Sequence, residues 1–98
     1  MIISRTPFRI SFFGGGTDFP IWYKSNSSKV INVAINKYCY VNVRKLPPFF
    51  KYKFRLRYHQ TEEVKLINKI QHPTVRESLK FLKYNDHFEM IHNADLPA

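Results

Sequence analysis

The sequence predicts an α+β fold, a mostly antiparallel sheet with its helices gathered on one side. Two observations carry this. Apolar residues alternate with polar ones in "TPFRISFF", "KYKFRLRYHQ" and "HFEMIHNAD", the two-residue period of a strand. Between the last two lies "HPTVRESLKFLKYN", where Val75, Leu79 and Leu82 recur at the i, i+4, i+7 spacing of a helix face. The 98 residues suffice for one small domain with one modest core.

Taken in order, "IISRTPFRISFF" reads as the first strand. Phe8, Ile10 and Phe12 share one face, and Arg9, Ser11 and Phe13 the other. Pro7 cannot donate to a ladder, so it places this strand at an edge or at a bulge. The glycines from Gly14 stop the strand. "DFPIWYKSN" holds one helical turn, with Pro20 suited to its first position. "KVINVAINKYCYVNVRKL" is β-rich and reads as two strands or one bent strand, broken at Asn36-Lys37; Pro47-Pro48 ends it. In "KYKFRLRYHQ", Phe54, Leu56 and Tyr58 share one face and Lys53, Arg55 and Arg57 the other, as in a half-exposed strand. "TEEVKLINKI" predicts a short helix, with Thr61 as cap and Glu62 and Glu63 at its positive end. The next helix starts either at Pro73 or from a Thr74–Glu77 capping box. The last strand sets Phe88, Met90 and His92 against Glu89, Ile91 and Asn93, and stops at "DLPA".

The formal net charge is +9, which favours anionic partners. From Lys37 to Arg57 the chain has seven basic residues and no acidic one, with aromatics interleaved. This run is either a solvated strand face or a basic surface for phosphate or nucleic acid; the solvated face is the commoner use of such a run. No apolar run approaches a membrane span, and the N-terminus lacks the pattern of a signal peptide. A single cysteine, Cys39, fits a cytoplasmic location and reads as a buried bystander thiol. The four histidines and Cys39 show no metal-ligand spacing, so no metal site is expected. His72 and His92 read as capping or surface residues. No pairing of a nucleophile with a base is evident in the sequence.

All three glycines of the chain stand together in "FFGGGTDFP". Glycines after a strand let the backbone approach a ligand with no Cβ in the way, and their N–H groups can donate to oxygens. Thr17 adds a hydroxyl. Asp18 adds a carboxylate that can accept from two sugar hydroxyls, and Arg9 lies on the strand leading in. The set suits a polyhydroxylated, partly anionic ligand. On residue types alone, a plain turn fits as well.

The string "TPFRISFFGGGTDFP" resembles the N-terminal motif of the GHMP kinase superfamily, and more closely the branch of D-glycero-D-manno-heptose 7-phosphate kinase and related sugar kinases. The resemblance extends over "INKYCYVNVRKLPPFF", "EEVKLINKIQHPTVRESLKFL" and "DLPA". It implies that residues 1–98 are a partial N-terminal domain of ribosomal-protein-like fold that ends just before the ATP-binding loop. It implies a phosphorylated sugar as substrate, with ATP and Mg2+ as cofactors whose main binding loop these residues lack. Arg9 is then the catalytic residue, and Gly14, Gly15, Gly16, Thr17 and Asp18 bind substrate. Galactokinases carry an acidic residue and a histidine at the positions of Gly15 and Gly16, which argues against galactose. The 98 residues alone are expected to be inactive, and to self-associate through a sheet face left uncovered. Candidates for that face are Ile10, Phe12, Val33, Ile35 and Met90, or their alternate-facing neighbours. The competing expectations are a basic nucleic-acid-binding module, disfavoured by the glycine loop, and a non-functional remnant.

Overall fold

Twelve residues of unbroken extended chain, β1 (Ile2–Phe13), form one edge of a five-stranded sheet in the computed structural model, which describes residues 1–16 and 18–97. One helical turn, α1 (Pro20–Tyr23), follows with Pro20 at its first position and no buried residue. β2 (Ile31–Arg44) returns antiparallel along β1. Two short strands come next, β3 (Phe54–Arg57) and β4 (Thr61–Val64). A 3-10 turn (Ile67–Lys69) leads to α2 (Pro73–Phe81), and β5 (Phe88–Ala94) completes the sheet. The strand order is β1-β2-β5-β3-β4. Every pairing is antiparallel except β3 with β5, so the sheet is mixed within an α+β architecture. Among the described residues no helix is long and apolar enough to cross a membrane.

β2 is one strand with an irregularity where a break was expected. Pro7 faces Tyr38 and Arg9 faces Ala34, so Phe8 alone spans Ile35, Asn36 and Lys37. Pro7 thus sits on an edge strand and beside a bulge, where a residue with no N–H costs no ladder bond.

The core lies between α2 and the inner half of the sheet. Phe54, Leu56, Ile70, Val75, Leu79 and Met90 are buried together, with Val41, Val43, Tyr58, Val64, Ile67 and Phe88 packed around them. Register explains the set: Val43 faces Met90 across β2 and β5, and Leu56 faces Met90 across β5 and β3. Met90 was grouped with the uncovered residues on sequence; α2 covers it. Leu82 completes the helical spacing but is exposed at the helix end.

The helix expected from Thr61 is instead β4 followed by the 3-10 turn. Pairing with β3 satisfies that strand's outer ladder and packs Val64 on the core, which overrides the local helix signals. Glu62 serves a purpose no helix end would give it. Its buried carboxylate accepts hydrogen bonds from the Tyr58 hydroxyl at 2.6 Å, Gln71 N–H at 2.6 Å and His72 N–H at 3.2 Å. Burial pushes the Glu62 carboxyl up, and these bonds outweigh it and hold it below the usual range.

α2 begins at Pro73, and its cap is His72, whose Nδ1 accepts from Val75 N–H at 3.4 Å. Of the two starts open on sequence, Pro73 is the one adopted. The helix ends in a Schellman motif. Lys83 N–H donates to Lys80 C=O and Tyr84 N–H to Leu79 C=O, both at 3.1 Å, with Lys83 left-handed at φ 54°.

Candidate functional site

The glycine loop begins where β1 leaves its partner, past the Phe13–Ile31 pair. Gly14 and Gly15 have φ of 115° and 99°, a region that L side chains rarely adopt. A Cβ on Gly14 would also lie 2.3 Å from Val30 Cγ1. Gly16 differs: it lacks a positive φ, and a Cβ there would meet nothing within 4 Å. Asp18 N–H donates to Gly15 C=O at 3.3 Å and closes the turn. Phe19 and Pro20 then enter α1, where Trp22 N–H donates to Phe19 C=O at 2.9 Å. Gly14, Gly15, Gly16 and Asp18 are all exposed. Thr17 lies outside the described residues.

The structure brings Gly14–Gly16 and Asp18 into one turn and leaves Arg9 at a distance. Arg9 is exposed and pairs with Ala34. Five residues of strand separate it from Gly14, about 16 Å of rise. A ligand touching both must be extended, with a polyol at one end and a charged group at the other.

Much of the basic run is engaged within the fold. Glu89, nearly fully buried on β5, pairs with Arg44 from β2 and Arg55 from β3. Burial would raise the Glu89 carboxyl; hydrogen bonds from Arg44 and Arg55 outweigh it and hold it below the usual range. Lys45 pairs with Asp86 at 2.9 Å. The Arg55 guanidinium stacks 4.9 Å from the Phe50 ring, which itself stacks on Tyr52. These cations and aromatics fasten strands and a loop together.

Among the described residues no three His, Cys, Asp or Glu side chains converge where a metal ion could sit. The longer helix opens on His72-Pro73 with no glycine. Among the described residues, then, neither feature fits ATP and Mg2+, which the sequence resemblance implies.

Sequence reasoning missed a pair on another part of the sheet. Cys39 Sγ on β2 lies 3.0 Å from His92 Nε2 on β5. Cys39 is half-buried and its thiol is free. The two stand 53 positions apart, and only strand pairing brings them together.

No protein-family model and no curated protein matches the chain. A solved structure does: a D-glycero-D-manno-heptose 1-phosphate kinase from Bacteriodes thetaiotaomicron, with a TM-score of 0.67 over 98% of this chain at 15% identity. The fold is similar to that of part of this kinase. The likeness is one of fold, and the α+β architecture expected from the sequence is the one present. The chain spans about a third of the matched structure, 34% of its length.

Proposed function

We propose that this chain is the sugar-binding part of an ATP-dependent kinase that phosphorylates a hydroxyl of a heptose phosphate or similar sugar. One observation carries the reading: Gly16, in a loop at the end of β1, on a chain with the fold of a heptose-phosphate kinase. Positive φ accounts for Gly14 and Gly15. Neither backbone conformation nor crowding accounts for Gly16, whereas a ligand lying against the backbone does.

In this reading the loop N–H groups and the Asp18 carboxylate hold the sugar hydroxyls, and Thr17, next to Asp18 in sequence, is assigned to the same substrate. Arg9, farther along β1, meets the anionic part of an extended substrate and the charge that develops near it. ATP with Mg2+ supplies the phosphoryl group when bound, and transfers of this kind depend on positioning and charge stabilisation. In this reading the 98 residues alone bind sugar and transfer nothing. The expected compartment is the cytoplasm.

Calorimetric titration with heptose 1-phosphate, heptose 7-phosphate and galactose tests the reading. The heptose phosphates should bind and galactose should not. Asp18→Ala should weaken binding by roughly 1.5–3 kcal/mol, the worth of hydrogen bonds to a charged group. Equal affinity of the variant for every sugar would reduce the loop to a turn.

A further inference from the structure

The Cys39–His92 pair combines a nucleophile with a base across β2 and β5. We propose that Cys39 is a reactive thiol site, activated by His92 and open to small soft electrophiles.

Three observations converge. First, Sγ and Nε2 are 3.0 Å apart, within reach for direct proton transfer. Second, the thiol is reachable. Cys39 is half-buried, and its cross-strand neighbours, Thr6 on β1 and Ala94 on β5, are both exposed. Third, a concavity of about 390 Å³ opens at the His92 side of the pair, lined by Tyr58, His59, His72, His92, Asn93 and Ala94, the last of which faces Cys39 across the strands. Those residues include three imidazoles and a phenol, with the Glu62 carboxylate bonded to the Tyr58 hydroxyl and His72 N–H, so the approach suits an uncharged reagent. His72 is already committed, with Nδ1 accepting from Val75 N–H, which leaves His92 as the base.

The chemistry balances with any alkylating reagent that carries its own leaving group. With iodoacetamide, His92 Nε2 takes the Sγ proton. The thiolate forms an S–C bond to the methylene carbon, the C–I bond breaks, and iodide leaves with the bonding pair. The imidazolium then returns its proton to water.

Iodoacetamide labelling of the 98-residue chain, followed by intact mass, tests the site at pH 7. A free thiol is only a few per cent thiolate at this pH. With His92 placed to take the proton as the S–C bond forms, folded chain should label at Cys39 about tenfold faster than the same chain in urea. Cys39→Ser should abolish labelling. His92→Gln, which preserves size, should bring the folded rate down to the urea rate or below. His92→Ala should lose the rate and recover it on addition of free imidazole, a rescue that a purely structural histidine would not show. Circular dichroism confirms that each variant is folded before its rate is read. A folded rate no faster than the urea rate overturns the proposal. So does an unchanged rate in folded His92→Gln. If both variants unfold, the wild-type comparison with urea decides alone.

Discussion

Phe54 and Phe12 are the same residue type in strands of one sheet, yet Phe54 is 0% exposed and Phe12 is 62% exposed. Around Phe54, α2 and the 3-10 turn close the sheet, and β3 has a partner strand on each side. Around Phe12 the strand is an edge, and α1 buries nothing. Ile10, Val33 and Ile31 remain exposed there, and Ile21 of α1 is 91% exposed. The same apolar content thus builds a core in one half and an open face in the other. The radius of gyration, 16.6 Å, reflects this, since a compact chain of this length has about 13 Å. Cover, rather than hydrophobicity, separates the halves. The open half is also the one that holds Arg9 and the glycine loop, so the candidate site stands where the chain's own packing is thinnest.

The widest separation between the halves should come from truncating the two phenylalanines. Phe54→Ala should cost about 3–5 kcal/mol in urea unfolding, as expected for an aromatic removed from a closed core. Phe12→Ala should stay within about 0.5 kcal/mol, since an exposed side chain loses little. The open face should also make the chain self-associate, because soluble monomers rarely tolerate a broad apolar patch. Phe12→Ala should lower its sedimentation coefficient at high concentration, while Phe54→Ala should not. Equal costs for the two substitutions would erase the distinction.

Next in size is the buried charge that ties β2, β5 and β3 together. Glu89→Gln leaves Arg44 and Arg55 short of a counter-charge and should cost about 3 kcal/mol. The folded carboxyl titrates below its ordinary value of 4.5, so its stabilisation is fully present above that value. It is lost as pH falls through the lower, folded value. Glu62 follows the same sign. Unfolding followed by pH should therefore show stability declining below about pH 4.5, more steeply in wild type than in Glu89→Gln. Parallel curves would mean the ion pairs contribute nothing.

The smallest effect belongs to the end of α2. Lys83 holds a left-handed φ of 54° that glycine adopts without strain. Lys83→Gly should stabilise the closed half by about 0.5–1 kcal/mol. A loss of stability would show that the lysine side chain contributes more than its backbone costs.

The closed half was legible where the pattern was local. The alternation around Phe54 and Leu56 and the Val75–Leu79 stripe can be read from spacing, and the structure adopts them; Pro73 was one of two helix starts the sequence left open. The Thr61–Val64 strand was not legible, because Thr61, Glu62 and Glu63 carry helix-start chemistry and only pairing with β3 makes them a strand. The sequence marked the glycine loop by composition, but it could not separate Gly14 and Gly15, fixed by backbone conformation, from Gly16, which is not. Arg9 was grouped with the loop by proximity in sequence, and the extended chain of β1 sets it apart. Cys39 and His92 left no local trace, since their meeting depends on the register of β2 with β5.

The central claim is that the open half holds a sugar phosphate at the glycine loop. Backbone amide shifts, followed residue by residue as heptose 1-phosphate is added to the labelled chain, test it most directly. The predicted result is a saturable change at Gly14, Gly15, Gly16 and Asp18, extending to Arg9, with the amides of Phe54, Leu56 and Leu79 unmoved. Gly16→Ala should abolish that change while leaving the core amides in place. Shifts confined to α2, or none at the loop at millimolar sugar phosphate, would contradict the account.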